Sequence, residues 1–119
     1  MALESSITRS ILIYLNGLSG CCAEKVKGGA TASGRADINA CYRGHCLRIE
    51  VKTPDHKNRT SPKQDHNLEK WYRAGAVTMV VYSLDDLKQL LEFVKVWKPG
   101  LYVLEMDGCM SWIKIPERS

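Results

Sequence analysis

Residues 37–52 read D-I-N-A-C-Y-R-G-H-C-L-R-I-E-V-K, and the whole reading of the chain grows from this run. Ala36, Ile38, Ala40 and Tyr42 alternate with polar neighbours, as do Leu47, Ile49 and Val51. That period of two is what a pleated, half-buried strand imposes. Arg43-Gly44 supplies a turn between the two runs. A two-residue loop then opposes Tyr42 with His45, Ala40 with Leu47, Ile38 with Ile49, and Asp37 with Glu50. All the apolar residues fall on one face of the hairpin. The other face carries two opposed carboxylates, with Cβ atoms ~5 Å apart, and Lys52 points the same way.

Like charges opposed across a ladder repel, and partial burial raises the pKa of one of them sharply unless a cation lies between. The pair therefore suits a metal. Hard divalent ions such as Mg²⁺ favour carboxylate oxygens and share their sites with phosphates, while a neighbouring lysine can orient or deprotonate a water or neutralise a phosphate. This is the chemistry of phosphodiester hydrolysis. A solvated strand face with an ordinary surface ion pair produces the same pattern, because E-x-K in a strand is common.

A chain of 119 residues makes one domain, 1–119, with a modest core, and 45% hydrophobic with 25% charged residues is ordinary globular composition. The formal net charge of +4 permits a polyanionic partner without demanding one. No apolar run approaches the ~20 residues of a membrane span and no leader pattern opens the chain, so the expected compartment is the cytoplasm. Five cysteines, Cys21, Cys22, Cys41, Cys46 and Cys109, include no C-x-x-C pair. They read as reduced thiols, although Cys41 and Cys46 oppose each other in the hairpin register. His45, His56 and His66 lack ligand spacing and read as surface residues.

In chain order, Ile7, Ile11, Tyr14, Leu15 and Leu18 recur at helical spacing up to a stop at Asn16-Gly17. Glu4 falls on the same stripe at the helix start. It suits the helix N-terminus as it stands, and a helix packed on the hairpin would also carry it to the carboxylate pair. Cys21 to Lys27 reads as a short strand with Lys25 and Lys27 on one face, followed by a small, glycine-rich loop up to Gly34. After Lys52 a polar loop holds Lys57 and Arg59. Ser61-Pro62-Lys63-Gln64 predicts a helix start with a capping box, and Gln64 also begins the stripe through Leu68 and Trp71 or Tyr72. Val77 to Tyr82 reads as a buried strand reached by a helical crossover and lying parallel to the third. Ser83 caps a further helix with Leu84, Leu87, Leu90, Leu91 and Val94 inward, and Asp85 and Asp86 belong to its first turn. Leu101 to Ile115 reads as a hairpin around Asp107-Gly108.

The order of helix, three strands, helix, strand, helix and hairpin resembles the PD-(D/E)xK superfamily of restriction-endonuclease-like nucleases, and more narrowly a stand-alone VRR-Nuc domain. The carriers are Glu4, G-x-x-D-I at Gly34 to Ile38, I-E-V-K at Ile49 to Lys52, and S-P-x-Q at Ser61 to Gln64, with Gly75 before an apolar strand. Ala36 stands where the family usually has proline.

The resemblance implies an α/β fold with a restriction-endonuclease-like αβββαβ core, a mixed central sheet flanked by helices, plus the C-terminal hairpin. It implies catalytic roles for Glu4, Asp37, Glu50, Lys52 and Gln64. Asp37, Glu50, the Val51 carbonyl and Glu4 would be the metal ligands, with Mg²⁺ as cofactor and Mn²⁺ able to substitute. Lys25, Lys27, Arg35, Lys57, Arg59 and Lys63 are the cations expected to meet DNA phosphates. The implied protein is a structure-selective DNA endonuclease of repair or recombination in a bacterial or phage-infected cell, resolving four-way (Holliday) junctions as a homodimer. The apolar residues expected at the dimer contact are Trp97, Tyr102, Met110 and Trp112, around the third helix and the tail hairpin. A flap or linear-duplex nuclease is the rival activity, and a non-catalytic DNA-binding or assembly module the rival class.

Overall fold

The computed structural model describes residues 2–27, 34–54 and 60–118. Helix α1 (Ala2–Asn16) leads into strands β1 (Cys21–Lys25), β2 (Ile38–Tyr42) and β3 (His45–Val51). Helix α2 (Pro62–Arg73), strand β4 (Val77–Val81) and helix α3 (Leu84–Lys95) follow, and strands β5 (Gly100–Met106) and β6 (Cys109–Ile115) close the chain. The strands form one mixed sheet of six in the order β1-β2-β3-β4-β6-β5. β3 and β4 are parallel and every other neighbouring pair is antiparallel.

The expected register is the observed one, from Tyr42 opposite His45 to Ile38 opposite Ile49. Its loop holds Arg43 at φ 51° and Gly44 at φ 86°, two consecutive left-handed residues whose twist matches that of the flanking strands. Asp107 and Gly108 repeat the device between β5 and β6, at φ 54° and 80°. The tail hairpin therefore widens the sheet, β6 pairing with β4.

One face of the sheet is the main core. Ile11 and Leu15 of α1 and Leu87, Leu90 and Leu91 of α3 pack there on the alternating residues of β2, β3, β4 and β6. The opposite face carries α2, whose Leu68 packs with Ala36, Val80, Tyr82 and Cys109 in a smaller cluster. A strand covered on both faces has no polar side, and all five residues of β4 are buried.

Several expectations change. Ala36 does not share the main-core face with Ile38 and Ala40: it precedes the ladder and packs with Leu68 on the opposite side. Glu4 does not lie on the buried stripe: residues 3–6 are all exposed and burial begins at Thr8 and Ile11. Helical periodicity gives an angle around the axis but not how far along it the cover extends. β1 ends at Lys25, so Lys25 and Lys27 do not share one strand face; Val26 makes the last ladder bond, donating to the Asp37 carbonyl at 2.8 Å. Trp97, Tyr102, Met110 and Trp112 do not make one patch. Tyr102 stacks on Phe93 against the main core and Trp97 on His45, while Met110 is exposed and Trp112 lies against the smaller cluster. His45, stacked on Trp97, is partly covered at the surface, and His66 is exposed. His56 lies outside the described residues.

Candidate active site

Residues 37, 39 and 41 of one strand and 46, 48, 50 and 52 of the next point away from the main core, toward α2. Asp37 sits one residue before β2, where the chain leaves the ladder, and it is held there by a backbone contact: its Oδ2 accepts the Val51 N–H at 2.8 Å. A strand residue presents its N–H and C=O to the same side, so the Val51 carbonyl also faces Asp37. Gly34 prepares this approach. Its φ is +84°, and a Cβ there would lie 3.1 Å from the Lys63 Cβ and 3.2 Å from the Lys63 carbonyl. A loop that lies directly on the first turn of α2 needs both the missing Cβ and the left-handed backbone.

Glu50 is only 3% exposed. Its Oε2 accepts the Gln64 Nε2–H at 2.7 Å and lies 3.5 Å from Lys52 Nζ. Its Oε1 is buried with no hydrogen-bond partner. Burial, and next the neighbouring Asp37 charge, push the Glu50 carboxyl up to about 8, while Lys52 pulls the other way. Without a cation Glu50 keeps its proton at neutral pH, and the ionised form lacks a compensating charge. The orphan oxygen faces that shortage directly, and hard cations are what two adjoining carboxylates accept best.

Gln64 does two things at once. Ser61 Oγ accepts the Gln64 N–H and Gln64 Oε1 accepts the Ser61 N–H at 2.8 Å, completing the expected capping box. The same Oε1 accepts from Lys52 Nζ at 3.0 Å. The side chain thus links helix start, lysine and buried carboxylate, and capping does not exclude a place in the site.

The structure therefore brings together Asp37, Glu50, Lys52, Gln64 and the Val51 backbone, and leaves Glu4 outside. Exposed in the first turn of α1, Glu4 makes no third member with the pair, and among the described residues no group of three His, Cys, Asp or Glu side chains is placed to hold an ion. Asp37, Glu50 and the Val51 carbonyl are the oxygen donors that would hold a hard divalent ion here. Arg35 and Lys63 flank Asp37 and the first turn of α2 as exposed cations, and Lys25 and Lys27, also exposed, flank Val26, whose N–H donates to the Asp37 carbonyl. Lys57 and Arg59 lie outside the described residues.

Two features escaped the sequence reading. Arg48 stacks its guanidinium over the Trp71 ring at 4.0 Å, next to the carboxylate pair; the register alone puts Asn39 opposite Arg48 on that face, and this was the available signal. Asp86, assigned to the cap of α3, is also buried and accepts the Ser111 hydroxyl at 2.5 Å, while Ser111 in turn accepts the Tyr82 N–H. Only the closing of β6 onto β4 creates that contact. No helix of the described residues is long and apolar enough to cross a membrane. Compared with family models, curated proteins and solved structures, the chain matches none.

Proposed function

We propose that the chain is a Mg²⁺-dependent endodeoxyribonuclease with the restriction-endonuclease-like core of VRR-Nuc domains, which Mn²⁺ also supports. One observation carries the reading: buried Glu50 stands beside Asp37 with an unpartnered oxygen, while Lys52 and Gln64 are tied to its other oxygen. A bare strand face would leave these groups solvated, and a DNA-binding module has no use for two adjoining acids next to phosphate. When bound, a hard divalent cation supplies Lewis-acid polarisation of the phosphoryl group. Asp37, Glu50 and the Val51 carbonyl are the residues that would hold it.

The chain's own contribution is position and charge. Lys52 Nζ, steadied by Gln64 Oε1, neutralises a phosphate oxygen or orients the attacking water. The water oxygen bonds to phosphorus and loses a proton to solvent, the bond from phosphorus to one ester oxygen breaks, and that oxygen leaves as a hydroxyl after taking a proton from solvent. The substrate is DNA, branched for preference, and a homodimer cutting paired strands of a four-way junction in the cytoplasm of a bacterial or phage-infected cell fits the resemblance.

The test is direct. Labelled four-way junction, flap and linear duplex are each incubated with the protein, with and without Mg²⁺ or Mn²⁺. Divalent-dependent cleavage, strongest on the junction, is expected; three uncut substrates would end the nuclease reading.

A further inference from the structure

Along the hairpin face, the row after Asp37 and Glu50 is Asn39 opposite Arg48, displaced by ~7 Å, two residues of strand. A cavity of about 160 Å³ opens there, lined by Arg35, Ala36, Asn39, Arg48, Asn67, Lys70 and Trp71. We infer that this cavity is a phosphate subsite, which grips an internal phosphodiester of the DNA strand flanking the bond being cut. For the identity of its ligand the inference rests on the nuclease reading.

Charge points to an anion. Three cations, two carboxamides and one indole make up the polar lining, and no carboxylate contributes. Among the described residues, none of Arg35, Arg48 or Lys70 forms an ion pair, although the nearby Glu69 is shared between Arg73 and Lys114. Cations gathered around one concavity without a counter-ion repel each other, and an anion relieves this.

Geometry points to phosphate. The Arg48 guanidinium lies over the Trp71 ring at 4.0 Å, and one of its N–H groups is spent on the Leu47 carbonyl at 3.1 Å. Four of the five donors of an arginine fork remain, in a plane suited to two oxygens of one phosphate. Asn39 and Asn67 add carboxamide N–H donors that phosphodiester oxygens can accept. The α2 helix supplies Asn67, Lys70 and Trp71, so the element that positions Gln64 also builds the subsite. A strand gripped here and at Lys52 is held at two adjoining points, which orients the scissile phosphate over the carboxylate pair.

The experiment separates grip from chemistry. Full-length Asp37→Asn protein, alone and with Arg48→Gln or Lys70→Gln added, is titrated in EDTA against a fluorescent four-way junction without terminal phosphates, across a range of salt. Each added change should weaken binding about tenfold and lower the slope of log affinity against log salt by about one. Lys70 is exposed, so its variant reports on the subsite even if the loss of the Arg48 stack loosens the fold. Parental affinity and slope in both variants would overturn the subsite, and cleavage by the unmutated protein would then leave the nuclease reading standing. An unmutated protein that never cuts, with both slope changes present, would remove the nuclease reading and keep the subsite.

Discussion

Burial and the adjoining Asp37 carboxylate hold Glu50 up to about 8, against an ordinary 4.5, so at neutral pH the folded chain without a bound cation keeps a proton that the unfolded chain releases. A pKa raised on folding contributes stability that is complete below the unfolded value and is lost as pH rises through the folded one. In EDTA, the melting temperature of the parent relative to that of Glu50→Gln should therefore fall as pH climbs from about 4.5 to about 8, a difference that cancels the opposite contribution of His45, whose pKa is lowered by burial. Mg²⁺ added to the parent above neutrality should recover part of the fall. A slope of opposite sign would contradict the assigned environment of Glu50. The chemistry has its own test at this scale: Asp37→Asn, Glu50→Gln and Lys52→Ala each remove a ligand or a positioned charge while leaving the apolar face untouched. Cleavage should drop by orders of magnitude with DNA affinity changed far less, and near-parental turnover by any one of them would dismantle the site.

The first turn of α2 is the element on which the site depends, because Gln64 closes its cap and also joins Lys52 to Glu50. A residue with both duties should fail in both. Gln64→Ala is expected to lower stability by ~1 kcal/mol, the usual loss of a cap, and to cut the cleavage rate more than that loss explains. Chemical denaturation and single-turnover rates on the same preparation separate the two effects; an unchanged rate would reduce Gln64 to a cap. The loop that docks on this turn makes a parallel case. Gly34→Ala forces a Cβ to within 3.1 Å of Lys63 at a φ of +84°, so it should cost on the order of 1–3 kcal/mol and displace Asp37. An alanine variant that melts with the parent would show the contact to be slack.

At the scale of the whole molecule, the outer hairpin leaves an apolar surface on the α2 side. Leu101 is 59% and Met110 52% exposed, Val103 adjoins them, and a groove of about 390 Å³ runs between them and Leu68 and Trp112. Small monomers seldom leave such patches wet, and a second copy related by two-fold symmetry would bring two metal sites to the equivalent strands of a junction. Val103→Glu should convert a dimer to monomer in light scattering and turn paired cuts in a cruciform plasmid into single nicks. A parent that is monomeric at micromolar concentration would remove the dimer and leave the carboxylate site as it is.

Local rules reached far into this chain because its signals are short-range. Alternation set which residues of 38–51 face the core, the two-residue loop set the register to the residue, and Ser61-Pro62-x-Gln64 set the helix start; each is decided by neighbours within a few positions, as the observed pairings reflect. The opposition of Asp37 and Glu50 follows from that register. Where α1 stops being covered, and hence the exposure of Glu4, does not, because it depends on how long a sheet lies beneath the helix. Periodicity likewise left open on which face Tyr102 and Met110 would settle, since that waits on β6 joining β4 rather than standing apart. The double role of Gln64, the Arg48–Trp71 stack and the Asp86–Ser111 contact came from packing alone: each joins residues distant in sequence, and the distances that give them chemical meaning exist only once the helices lie on the sheet.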